Sequence, residues 1–373
     1  MNNIFNPVNI NFEINTIGQY TGIFKDGHFP DWKKSDIIII GVEKKDFMEE
    51  ETENYAPNEI RKSLYSLFPG DWNIKLADLG NLKLAENNND ALIEILTEIF
   101  QHKKSVILLG NNQKLSYSII KSLNNIEKYV NFTVVDSEID FDIKQNSKQN
   151  MNAKNYLNYI LSDSDFVLNN MSIIGTQTYY NHPEKSKVLN RLYIDEYKLG
   201  EIKNNIIEVE PEIRNAHFVS IDVSSIENTY MPAQQISRPN GFSGIEICEI
   251  SRFSGLSRQN KAIGIFGMNP FYDKNFAGSH QIAQVIWYYI DGKNSSNQQK
   301  NVFDKNKMTK FHVPNEIIRF IFYKNNETEQ WWVEFLDLNI ENRIFPCSYN
   351  DYKLAINKIL SKRLKSIIEK NKI

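Results

Sequence analysis

The sequence is poor in the residues that soft metals and redox chemistry use. It has two cysteines, Cys248 and Cys347. They are far apart and in no Cys-x-x-Cys spacing, which excludes a disulfide framework and a zinc knuckle. Cys248, flanked by Ile247 and Ile250 on a predicted helix, reads as a buried inert thiol. The six histidines are His28, His102, His182, His217, His280 and His312. None stands at a His-x-x-x-His or similar spacing, so each reads as structural, with His280 packed at the start of an apolar helix. No apolar run approaches membrane-spanning length. The first residues lack the basic and apolar regions of a signal peptide, so a cytoplasmic protein with no membrane association is expected. Neither charge sign dominates: 43 Lys and Arg face 46 Asp and Glu, a net charge of −3. That gives no bulk attraction to nucleic acid, and none is expected as a partner. Gly241 and Gly244 do not have phosphate-loop spacing and read as loop and helix-start glycines. There is no internal repeat.

What is present is apolar sequence at two periods. The 373 residues are 41% hydrophobic and 24% charged, enough for a sizeable core. Residues 36–42 include four consecutive isoleucines before Gly41. Residues 105–109, 131–135, 172–175, 218–223 and 261–266 are similar short runs, as strands covered on both faces are. Between them, Leu92, Ile95, Leu96, Ile99 and Phe100 form one helical face. Pro57 opens another helix at an N-terminal position. Further helices are predicted at 115–123, 156–161, 195–207, 244–253 and 278–290, with charged or polar loops at 44–55 and 141–152. This alternation over about 250 residues predicts a three-layer α/β/α domain with a mainly parallel sheet. The expected organisation is an N-terminal extension at 1–35, the α/β domain at 36–292, and a linker with a C-terminal extension at 293–373. The linker is the polar run 293–310. The extension holds strands at 317–323 and 331–335, with Trp331 and Trp332 as core residues. It ends in one amphipathic helix through Leu354, Ile356, Ile359, Leu360, Leu364, Ile367 and Ile368.

Three strands end in polar clusters: Gly110-Asn111-Asn112-Gln113, Asp136-Ser137-Glu138-Ile139-Asp140, and Asp222 with Ser224. In an open α/β sheet the ligand crevice lies outside the carboxyl ends of the strands. Three such ends could bring oxygen ligands into one crevice. Asp222 alone could equally cap a turn.

The motifs, in order, resemble the arginase or ureohydrolase family, and most of all its formimidoylglutamase-like branch in Bacteroidetes. Ile40-Gly41-Val42 is similar to that family's first strand end. Ala56-Pro57-Asn58-Glu59-Ile60-Arg61 resembles its Gly-Pro-x-x-Ile-Arg element, and Asp78-Leu79-Gly80-Asn81 its Asp-x-Gly-Asp turn. The three polar clusters stand where Gly-Gly-Asp-His, Asp-Ala-His-x-Asp and Ser-x-Asp-x-Asp follow. Gly267-Met268-Asn269-Pro270 stands where Glu-x-Asn-Pro closes the series. Residues 237–253 and the Trp331-Trp332 pair resemble the narrower branch. The likeness spans about residues 36–291.

It implies two Mn²⁺ ions that share carboxylates, and a hydroxide between them that attacks the carbon of an amidine or guanidine substrate. Carried over position by position, the metal residues are Gln113, Asp136, Glu138, Asp140 and Asp222. Gln113 and Glu138 stand where the family has histidines, Ser224 where it has a carboxylate, and Gly267 where it has the substrate-binding Glu. The loop after Asp140 holds no histidine as a proton shuttle, since none occurs between His102 and His182. The four acids could hold one hard cation. Without a metal, their mutual repulsion calls for a nearby Lys or Arg. Two functions follow as expectations: hydrolysis of a linear amidine C–N bond of formimidoylglutamase type at a degenerate metal site, or a catalytically inactive protein that keeps the fold as a binding or assembly module. The resemblance also implies a homo-oligomer or a protein partner.

Overall fold

Consecutive branched residues build the sheet because alternate side chains leave on opposite faces. In the computed structural model, residues 2–43, 56–84, 89–144, 149–298, 303–313, 318–337 and 343–371 are described. The strands are β1 (Phe5–Asn6), β2 (Thr21–Ile23), β3 (Ile37–Glu43), β4 (Leu76–Lys83), β5 (Ser105–Gly110), β6 (Val130–Val135), β7 (Leu168–Thr176), β8 (Asp195–Lys198), β9 (Phe218–Asp222) and β10 (Ala262–Phe266). They form one ten-stranded sheet in the order β1-β4-β3-β5-β10-β9-β6-β7-β8, with β2 also pairing β4. All pairs are parallel except β1 with β4. Residues before position 36 thus supply β1 and β2 to this sheet.

The period of two sorts the core into two clusters, one on each face. Ile37, Ile39, Ile107 and Leu109 join the helices Ala56–Tyr65, Gly244–Leu256 and Ala277–Gln298. Ile38, Ile40, Val106 and Leu108 join Asp90–Gln101, Ser116–Asn124 and Tyr156–Ser162. This is the expected three-layer arrangement.

The two early motifs meet in the core. Wholly buried Arg61 donates through Nε to Asp78 Oδ2 (2.6 Å) and through Nη2 to Asp78 Oδ1 (2.9 Å) and the Gly80 carbonyl (3.0 Å). A buried guanidinium needs such bidentate pairing.

A second, antiparallel sheet follows, made of β11 (Met308–Val313), β12 (Phe320–Asn325), β13 (Trp331–Phe335) and β14 (Ile344–Cys347). Trp331 and Trp332 are buried, as expected. No helix among the described residues is long and apolar enough to cross a membrane.

Several elements differ from the sequence reading. Asp195–Lys198 is the edge strand β8, followed by the short helix Leu199–Ile202, where one helix was predicted over 195–207. The helix predicted over 278–290 runs to Gln298, so the polar run from 293 begins inside it. The C-terminal helix is two helices, Tyr349–Ile356 and Lys362–Lys370. His280 is exposed, because it falls on the outer face of its helix. Cys248 is buried, and burial pushes its thiol up to about 12. The predicted loop at 44–55 lies outside the described residues.

Candidate functional site

The parallel register brings the three polar strand ends to one rim. Phe266 of β10 pairs Gly110 of β5 on one side and Asp222 of β9 on the other. Val135 of β6 pairs Ile221 of β9, which sets Asp136 beside Asp222. Gln113, Asp136, Glu138, Asp140 and Asp222 therefore share one crevice at the carboxyl edge, where open α/β sheets bind ligands.

Hydrogen bonds show what each group does there. Gln113 is buried, and its amide fits its neighbours in one orientation. Its Nε2 donates to Asp136 Oδ2 (2.9 Å) and Asp140 Oδ2 (3.2 Å), while its Oε1 accepts from Ser220 Oγ (3.0 Å). Asp136 Oδ1 accepts from the Glu138 amide (2.9 Å) and Ser224 Oγ (3.1 Å). Asp222 Oδ1 accepts from the Ser224 amide (2.8 Å) and so does cap a short turn, Val223–Ser225. Asn181, after β7, holds the Asp136–Asp140 loop: its Oδ1 accepts from the Ile139 amide (2.7 Å) and its Nδ2 donates to the Ser137 carbonyl (3.0 Å).

Two cations complete the crevice. Arg238 makes a short hydrogen bond to Glu138 Oε1, and its guanidinium carbon lies 4.0 Å from the centroid of the Tyr180 ring. Lys154, at the exposed rim, stands 3.2 Å from Glu138 Oε2 and 3.6 Å from Asp140 Oδ1. Sequence reasoning called for such a cation without locating it. Both lie in loops, where no periodicity marks a position.

The electrostatics follow. Burial, then Asp140 and Asp222, raise the Asp136 carboxyl far above the usual range. Burial pushes Asp140 up to about 7 against the pull of Lys154, with Asp222 and Glu138 adding to the rise. Burial also raises Asp222, although the Ser224 hydrogen bonds restrain it. Glu138 goes the other way: burial opposes ionisation, yet Lys154 and Arg238 hold its carboxyl below its ordinary value.

A dinuclear manganese centre does not fit this donor set. Among the described residues no imidazole is hydrogen-bonded to any of these five side chains. The Gln113 amide aims its donor nitrogen at two of the carboxylates, and two protein cations already pair with the acids, Lys154 with Glu138 and Asp140 and Arg238 with Glu138. No three His, Cys, Asp or Glu among the described residues are grouped to hold a metal ion. Gly267 offers no side chain for substrate, and its φ of +87°, with a hypothetical Cβ 3.0 Å from Asp222 Oδ2, makes a larger residue there strained.

Comparison with known proteins identifies the frame. The arginase family model matches residues 35–291. Among solved structures, formimidoylglutamase from Bacillus subtilis superposes with a TM-score of 0.65 at 15% identity, covering 77% of this chain and 94% of that one. Agmatine ureohydrolase of Thermoplasma volcanium gives 0.62 at 17% identity, over 78% and 98% of the two chains. Trypanosoma cruzi formiminoglutamase with Mn²⁺ gives 0.63 at 17%, over 70% and 94%. No individually curated protein matches the sequence.

Proposed function

The chain belongs to the arginase family, and from that premise we propose that it is a non-hydrolytic member, keeping the family's crevice as a binding or assembly module. The observation that carries the reading is Gln113, hydrogen-bonded between Asp136 and Asp140. An amide in that place joins the two carboxylates that would otherwise be free to share ions. Lys154 and Arg238 then supply positive charge that a metal pair would bring. The same cations argue against a cationic amidine or guanidine as ligand, since two of the four acids that would attract it, Glu138 and Asp140, already face Lys154 or Arg238.

The surroundings favour recognition. Loops leaving the carboxyl ends of β7, β9 and β10 expose Tyr179, Tyr230, Ile236, Phe271 and Phe276. Exposed apolar side chains at a crevice mouth suit a protein partner or a second copy of the chain.

A second reading has one observation in its favour. Asp140 Oδ1 is buried without a hydrogen bond, faced only by the rim ammonium of Lys154 at 3.6 Å among the described residues, so displacement of that ammonium would open a place for a single divalent cation and residual amidine hydrolysis. One experiment separates the two readings. The full chain is dialysed against Mn²⁺, assayed for bound metal, and tested on formiminoglutamate, arginine and agmatine. The expected result is far less than one ion per chain and no ammonia, formamide or urea above background. Stoichiometric manganese with manganese-dependent turnover would overturn the non-hydrolytic reading.

A further inference from the structure

The opposite edge of the sheet carries a second cluster of charge, mostly of one sign. β3, β5 and β10 begin in register there: Ile37 pairs Ser105, and Ala262 pairs Val106. The turns feeding these strands and the last turns of helix Ala277–Gln298 enclose a cavity of about 410 Å³. Its lining includes Lys103, Lys104, Arg258, Lys261 and Lys293, against a single acid, Asp36. The chain as a whole is slightly acidic, at a net charge of −3, so five cations on one concave surface are a local excess.

These cations are not accounted for by internal pairing. Lys261 lies 3.8 Å from Glu127, but no ion pair is made by Lys103, Lys104, Arg258 or Lys293 among the described residues. Asp36 itself is engaged with the backbone, its Oδ2 accepting from the Lys75 amide (2.8 Å). Lys293 is the unusual member. It is buried, and among the described residues its Nζ donates to the carbonyls of Ser257 and Asn260, over the Tyr289 ring. Burial first and Lys261 second push its ammonium down to about 7. A buried ammonium beside like charges is expensive unless a counter-charge arrives.

We infer that this cavity is a binding site for a small, multiply charged phosphate anion, an oligophosphate or a phosphorylated metabolite, with Lys293 at its floor and Arg258 and Lys104 at its mouth. Its volume suits one small ligand. Arg and Lys donors match phosphate oxygens in charge and geometry. A concave cluster on an acidic protein favours such a ligand over a nucleic-acid chain, which a broad basic face would be needed to track. The site lies across the sheet from the Asp136–Asp222 crevice, so it stands or falls independently of the metal question.

The test is calorimetric titration of the full chain with inorganic pyrophosphate and tripolyphosphate at near-physiological salt, with citrate as a polycarboxylate control. The expected result is saturable one-to-one binding, tighter for tripolyphosphate than for citrate. Arg258→Ala and Lys293→Met should each weaken it by about tenfold or more, while Lys187→Ala, far along the surface, leaves it unchanged. Arg258 is exposed, so its variant keeps the test valid if Lys293→Met does not fold. No saturable binding, citrate binding as tightly as tripolyphosphate, or affinity indifferent to Arg258→Ala would overturn the inference.

Discussion

Lys293 sets a pH dependence that can be signed in advance. Its ordinary value is 10.5 and its folded value about 7. Between those limits the unfolded chain holds a proton that the folded chain has released, so folding stability rises with pH across that window. At most about 5 kcal/mol is involved at 1.36 kcal/mol per pH unit. Urea midpoints for the native chain and for Lys293→Met, taken at about pH 7 and about pH 9, isolate this contribution. Asp36, Lys103, Lys104, Arg258 and Lys261 face position 293 in both proteins, and the repulsion from Lys261 that helps depress Lys293 is part of what the comparison reads. The native chain should gain on the variant as pH rises; a constant difference would refute the buried-ammonium account. Residues at strand ends were the ones legible in sequence. Gln113, Asp136, Glu138, Asp140 and Asp222 each follow an apolar run, and parallel strands deliver such residues to one edge. Lys154 and Arg238 were not legible as partners of Glu138, because a pairing 16 or 100 positions apart arises only from the tertiary path of two loops.

Elements were read well where periodicity and caps agreed, and poorly where only propensity spoke. Helix Gly244–Leu256 carries a complete capping box: Ser243 Oγ accepts from the Glu246 amide (3.3 Å) and Glu246 Oε2 from the Ser243 amide (2.7 Å). Ser243→Ala removes the Oγ that accepts from the Glu246 amide at the helix start, while the Glu246 carboxylate keeps its bond from the backbone amide at 243. It should cost about 1 kcal/mol in urea unfolding, the usual price of an N-cap; no measurable change would show that the helix is held by packing alone. By contrast Asp195-Glu196-Tyr197-Lys198 has helical composition but forms β8. Tertiary partners decide it: β7 supplies the ladder, Glu196 Oε1 accepts from Thr176 Oγ1 (2.8 Å), and Asp195 Oδ2 accepts from Lys370 Nζ (2.7 Å). The break in the C-terminal helix also has a local cause. Lys358 adopts a φ of +60°, and Ser361 caps the second helix through the Leu364 amide (3.3 Å). The apolar spacing across 354–368 hid that break, since it is compatible with one helix or two.

At the scale of the whole molecule, the question is how the C-terminal sheet is joined to the α/β body. It has its own small core, in which Phe311, Trp331 and Tyr352 stack at 5.2 and 5.0 Å between ring centroids. Its attachment, however, is ionic and buried. Arg363 is 6% exposed and donates through Nε to Glu212 Oε1 (2.9 Å), with a short hydrogen bond from Nη1 to Asp351. Arg214 pairs Glu210 (2.8 Å), donates to the Trp331 carbonyl (3.0 Å), and lies 4.3 Å from the centroid of the Trp332 ring. Glu212 and Arg214 belong to the α/β body, in helix Glu210–Arg214, while Asp351, Arg363 and both tryptophans belong to the extension. Arg363→Met keeps the apolar stem but leaves Glu212 and Asp351 as buried carboxylates without their shared cation. Removing one member of a buried ionic network typically costs about 3–5 kcal/mol. The loss should fall first on the junction, so hydrogen exchange at the β12 and β13 amides should accelerate well before that at β9 and β10. Equal acceleration in both sheets would mean that body and extension unfold as one unit. A stability change under about 1 kcal/mol would mean that the aromatic core, and not Arg363, holds the extension in place.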